Sequence, residues 1–146
     1  MRGDYSVSTK GMPTTYDTAE KARAAVCRSL ERLGVPKIHF YHVWCLRQMA
    51  HYELAMRPGG QYEGLLRSRE EGLIDHIVCS THQPGPEVAR ILARDEFAGV
   101  LLGVNILNFP YRWDGILAAR ERGCGVVAMN PLAGGTIPQH HAEDRK

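Results

Sequence analysis

Apolar residues fall along this chain in two alternating rhythms. Short runs rich in β-branched and aromatic residues read as strands: YSVST (5–9), KIHFYHVW (37–44), DHIVCS (75–80), GVLLGVN (99–105) and GVVAMN (125–130). Between them apolar positions recur every three or four residues, the spacing of one helical face. The first such segment is the best marked, with Ala19, Ala22, Val26, Leu30 and Leu33 on one face. Asp17 is placed to cap it with Glu20 three residues on, as in a capping box, and Gly34 followed by Pro36 ends it. Further helices are predicted over about 61–72, 86–94 and 113–122, with Pro86 in the first turn of the second and Gly123 closing the third. MRPGG (56–60) reads as a turn, and residues 136–146 as polar chain without a period.

Strands alternating with helices predict βα units around a parallel sheet. The last two strands are almost continuously apolar, as strands covered on both faces are, so both faces of the sheet are expected to be buried. Strand centres about 25–37 residues apart fit either a doubly wound sheet or a TIM barrel. A complete barrel needs eight units in about 250 residues. Five strands and four helices in 146 residues therefore mean an open sheet or part of a barrel.

Composition narrows the function classes. The chain is 44% hydrophobic and 23% charged, has no low-complexity block, and is the size of one domain. Eighteen basic against 16 acidic residues leave a net charge of +2, which gives no large single-sign field for nucleic acid or an anionic membrane. The N-terminus lacks the apolar run of a signal peptide and no window approaches a membrane span, so a soluble, cytoplasmic protein is expected. Cys27, Cys45, Cys79 and Cys124 are widely spaced, without C-x-x-C pairs, and are expected as reduced, packed thiols with no metal site.

Five segments in order carry a family likeness: VSTK (7–10), SLERLGVPKIHFYHVW (29–44), GLIDHIVCSTH (72–82), GVNILN (103–108) and GVVAMNPLAGG (125–135). Together they resemble strands three to seven of the aldo/keto reductases, in particular the bacterial branch that often carries an iron–sulfur domain after the barrel. The resemblance runs to about residue 138 and implies a partial TIM (β/α)8 barrel over 1–138, followed by a polar tail at 139–146. It further implies an NADP(H)-dependent, in some members NAD(H)-dependent, oxidoreductase acting on a small carbonyl compound. The family's opening strands are then expected before Met1 and its last strand after Lys146. A non-catalytic scaffold or nucleotide-binding module built from the same barrel units is the alternative. Two open sheet edges would favour self-association.

The implied roles attach residue by residue. By itself Lys10 is a solvated lysine at a strand end; the resemblance makes it the cation that lowers the pKa of a proton-donating tyrosine. That tyrosine and its supporting aspartate lie upstream of the lysine in the family. Tyr5 and Tyr16 do not match its position, so the chain is expected to be a fragment that lacks the catalytic tyrosine and aspartate and is inactive by itself. The family's strand-end histidine is replaced by Trp44, which then shapes the pocket, and the aspartate earlier in that strand is replaced by His39. His42, two residues before Trp44, is expected on the same face one layer deeper, where a hydrogen-bonded interior histidine is the ordinary reading. On the cofactor side, Ser80 corresponds to the serine that bonds the nicotinamide carboxamide, His82 to the branch's S-x-H, and Asn105 to amide-bearing positions of the next strand. Met129 stands either in the core or against the nicotinamide ring. Pro131, Leu132 and Gly134, within PLAGG, form either a plain turn or a loop offering N–H groups to the pyrophosphate. Asn130 replaces a frequent lysine.

Overall fold

A computed structural model describes residues 5–94 and 96–143; positions 144–146 of the expected tail lie outside the described residues. Five strands form one sheet: β1 (Ser8–Gly11), β2 (Ile38–Leu46), β3 (Ile74–Thr81), β4 (Gly99–Gly103) and β5 (Gly125–Met129). They lie side by side in chain order, and every neighbouring pair is parallel. The helices are α1 (Ala19–Leu33), α2 (Met49–Met56), α3 (Gln61–Glu70), α4 (Gly85–Leu92), α5 (Phe109–Glu121) and α6 (Thr136–Glu143). Each crossover between strands contains at least one of them. A doubly wound sheet reverses its strand order at a switch point, whereas a barrel adds strands in one direction. The unbroken order therefore decides for a partial TIM barrel of five parallel strands.

Local sequence explains most element ends. Helix α1 is capped by Thr18 rather than Asp17: Thr18 is extended and its hydroxyl accepts from Lys21 N at 3.3 Å. With the cap one residue later, Glu20 is too close to close a capping box. Asp17 instead takes the Lys21 ammonium at 2.7 Å and the Arg57 guanidinium at 3.6 Å. Gly34 ends the helix in the left-handed conformation (φ 63°). Helix α2 has no side-chain cap and follows a strand closely, so its short apolar run gave no separate signal. Residues 136–143, expected without periodic structure, are helical.

Period-two alternation divides the sheet. Tyr41, Val43, Ile77, Cys79, Val100 and Leu102 face outward and are buried with Val26, Leu65, Val88, Ile91 and Leu92 of the helices. Each such aliphatic side chain stabilises the fold by roughly 1.5–3 kcal/mol. The inner face differs from expectation. Phe40 is 36% and Val127 58% exposed, and on the outer side of β5 Val126 is 41% exposed. Five strands make an arc, so nothing in it stands opposite the inner side chains, and the last strand is incompletely covered on either face.

All four cysteines are free, with Cys45 and Cys79 buried and Cys27 and Cys124 partly so. No helix among the described residues is long and apolar enough to cross a membrane.

Candidate active site

The ladder register places the predicted residues. Lys10 pairs with His42, His42 with Val78, Ser80 with Leu101, Leu101 with Val127, and Gly103 with Met129. Alternation then puts Lys10, His42, Trp44, Ser80 and Met129 on the inner face. In an eight-stranded barrel the strands tilt, and a level around the cylinder advances by about one residue per strand relative to the ladder. Stepping from Lys10 in this way leads to Ser80 on β3 and Met129 on β5, three alternate strands supplying one layer. Trp44 on β2 and Gly103 on β4 belong to the layer just outside it. His42 and Leu101 belong to the layer just inside.

Strand β2 ends at a bulge. Its pairing with β3 shifts between Val43 and Leu46, and Cys45 takes a left-handed φ of 65°. Trp44 stands immediately before this break. Its ring lies 4.9 Å from the Lys10 ammonium, a cation–π contact worth about 0.5–1 kcal/mol at an exposed site. The polar passengers of β2 are thus distinguished by face and depth.

His42 is engaged below the lysine. Its Nε2 lies 2.8 Å from the Ser8 hydroxyl, while Nδ1 is buried without a partner. Both residues line a trough of about 440 Å³ on the inner face, walled by Phe40, Val78, Leu101 and Val127. Burial, opposed by the Cys79 backbone and reinforced by the Lys10 ammonium, holds the imidazole below its ordinary range. Between the depressed folded pKa and the ordinary value of about 6.5, the unfolded chain binds more protons than the folded one. The stabilisation is complete above the ordinary value and is lost as pH falls through the folded one. Melting temperatures of wild type and His42→Gln should therefore differ in slope as the pH is lowered from neutral, with the variant less sensitive to acid. Parallel slopes would show that His42 titrates alike in both states.

Ser80 is fully buried, and its hydroxyl is among the few buried polar atoms with no hydrogen-bond partner. Met129 is half-buried, and its Cε lies against Gly103, 3.8 Å from where a Cβ would stand.

The loops at the carboxyl ends of β3, β4 and β5 are tied together. Asn105 lies beyond β4, and its side chain is occupied: Nδ2 donates to Asn130 O at 3.3 Å and Oδ1 accepts from Leu107 N at 3.0 Å. The N–H of Gly134 donates to Asn130 Oδ1 at 2.6 Å, and those of Ala133 and Gly135 donate to Asn130 O and Leu132 O. PLAGG is therefore a self-bonded turn, with Pro131 and Leu132 exposed at its start. His82 is exposed, and its carbonyl accepts from Arg112.

Sequence reasoning passed over Ser8 and Arg112. Period-two alternation back from Lys10 would have placed Ser8 on the inner face. Arg112, 6% exposed, has no local pattern that marks it as buried. Tyr16 stands by Gly11 with Tyr41, away from the inner face.

No family model and no curated relative matches the sequence. Solved structures do. An aldo-keto reductase from a Medee basin deep-sea metagenome library superposes with a TM-score of 0.69 at 18% identity, over 91% of this chain and 46% of that one. The chain shares its fold with the aldo-keto reductases. The holo form of one from Bacillus halodurans gives a TM-score of 0.71 at 23% identity, over 90% of this chain and 43% of its own. Another from Bombyx mori, in complex with NADP, gives 0.61 at 18% identity, over 84% and 40%. The chain thus spans about half the length of the aldo-keto reductases it matches, and within that span their fold is kept.

Proposed function

We propose that this chain forms the cofactor-side arc of an aldo-keto reductase-type oxidoreductase, one that transfers hydride between NADP(H) and a small carbonyl or alcohol substrate. The observation that carries the reading is Ser80. A fully buried hydroxyl with no partner is costly, and this one shares a layer with Lys10 and Met129 at the carboxyl ends of the strands, where barrel active sites form. It suits a carboxamide. Gly103 adds no side chain beside Met129, so the Met129 thioether lies over it as a flat apolar surface that suits a ring. When bound, the nicotinamide supplies or accepts the hydride.

The chain's own residues then have these parts. Ser80 orients the carboxamide and Met129 packs on the ring. Lys10, held by Trp44, supplies positive charge beside the reacting carbonyl. His42 and Ser8 fix the floor by their mutual bond. His82, Asn105 and the turn from Pro131 to Gly134 shape the rim, chiefly through surface and loop geometry, because the N–H of Gly134 is already engaged. NADP is favoured as cofactor by the NADP-bound Bombyx mori relative of the same fold. The near-balanced charge favours a small-molecule partner over nucleic acid or membrane.

One observation favours a second reading: the cation-held Trp44 occupies the place the resemblance gives to a catalytic histidine. A nucleotide-binding scaffold would keep Ser80 and dispense with turnover.

Titrating NADPH and following its fluorescence tests the cofactor face. Binding should shift and enhance the emission, and Ser80→Ala should weaken affinity about tenfold, the loss of one hydrogen bond of about 1.4 kcal/mol. The same variant should leave stability unchanged or slightly raised, because the free protein gives that hydroxyl no partner. Emission unchanged at saturating protein would overturn the assignment. Binding accompanied by reduction of a simple aldehyde or ketone would exclude the scaffold.

A further inference from the structure

Arg112 lies in the second turn of α5, 6% exposed, with its guanidinium stacked 4.6 Å from the Tyr111 ring. Nη1 donates to the His82 carbonyl at 2.7 Å, just past β3, and Nε donates to the Gly103 carbonyl at 3.3 Å, at the end of β4. Asn108 Nδ2 donates to the same Gly103 carbonyl at 3.3 Å, and its Oδ1 accepts from Asn105 N at 2.8 Å. Asn105 reaches Asn130 O, and Asn130 Oδ1 holds Gly134 N. These bonds form one continuous chain, from His82 through Arg112, Gly103, Asn108, Asn105 and Asn130 to Gly134. It crosses the carboxyl ends of three neighbouring strands, and Arg112 is the link that joins β3 to the others.

Burying a guanidinium against neutral carbonyls and one aromatic ring is an expensive way to pack a helix, since an aliphatic side chain fills such space without desolvating a charge. Its fork, by contrast, fixes two separated donors, Nε and Nη1, on carbonyls at the ends of two strands, where an ammonium offers all its donors from a single atom. We propose that Arg112 is a positioning residue: it fixes the relative placement of the three rim loops and, through them, the surface on which the cofactor rests. Its consequence for cofactor affinity rests on the oxidoreductase reading above; its consequence for the loops does not.

Two measurements on the full chain separate these. Amide hydrogen exchange at Asn105, Leu107 and Gly134 reads the network without any ligand, and NADPH fluorescence reads the affinity. Arg112→Ala should speed exchange at these amides about tenfold, more than at core strand amides, and weaken NADPH by a similar factor. Ethylguanidinium added to the variant should restore both, which a general loss of packing would not allow. Arg112→Lys keeps the stem and the charge but not the fork, and should behave as a partial loss; it also serves if the alanine variant does not fold. Asn108→Ala should loosen Asn105 and leave the His82 side unchanged. Exchange unaltered in folded Arg112 variants, or weakened NADPH with no change at the rim amides, would overturn the proposal. If wild type binds no NADPH, the cofactor reading fails, and the exchange experiment still decides whether Arg112 organises the rim.

Discussion

Gly64→Ala is expected to destabilise the fold by about 3 kcal/mol, the upper part of the range for overpacking, although the same change in an exposed helix gains up to about 1 kcal/mol. The reversed sign is the diagnostic feature. Gly64 lies in α3, where a Cβ would stand 2.2 Å from the carbonyl oxygen of Ala19 and 2.9 Å from its Cα. These are backbone atoms of the first turn of α1, so no rotamer change relieves the contact. The start of α1 is also tied down, since Ala19 N donates to Gly59 O at 2.8 Å in the turn before α3. The helices must separate, and the apolar layer shared by Val26 and Leu65 opens with them. Gly72→Ala provides the comparison: its φ of 73° strains a side chain by about 1–2 kcal/mol, yet nothing lies within 4 Å. Urea unfolding followed by circular dichroism should rank the two variants in that order. Equal losses would mean that the α1–α3 contact yields more readily than its geometry implies.

The contrast between these glycines shows where reading the sequence reaches its limit. The strands were legible because parallel, buried β-runs are conspicuous, and all five appear within three residues of their predicted ends. Helix α1 was legible from its period, though its cap moved by one residue, because Asp17 and Thr18 are both competent caps and only the ion pairs of Asp17 separate them. The inner-face grouping of Lys10, Ser80 and Met129 follows from alternation and stagger once the strand order is known. The occupied amide of Asn105 and the self-bonded turn around Gly134 did not follow, because they depend on contacts between loops far apart in the chain. Arg112 was illegible for the same reason. Its partners are thirty and nine residues away, and no spacing rule links a helix arginine to two strand-end carbonyls.

A second large effect is expected in solution. The edge strands β1 and β5 each have one unpaired side among the described residues, and unpaired, flat edges are templates for association. Here the edge is apolar as well, since Val126 and Val127 of β5 are both substantially exposed, on opposite faces. The inner face adds Phe40, stacked on His76 at 5.3 Å, above the open trough. Every other strand can satisfy its backbone within the arc, so the driving force is concentrated at the two ends. Sedimentation velocity on the 146-residue chain should therefore show mass rising with concentration. Val126→Lys with Val127→Lys should return it toward monomer, because two charges on an edge strand oppose pairing from either face. Lys10→Met, on the opposite edge, should instead strengthen association by removing an edge charge. A monomer at every concentration would show that the sheet ends are protected in solution, and it would leave the inner-face site accessible as a shallow, open surface rather than one enclosed by a second copy.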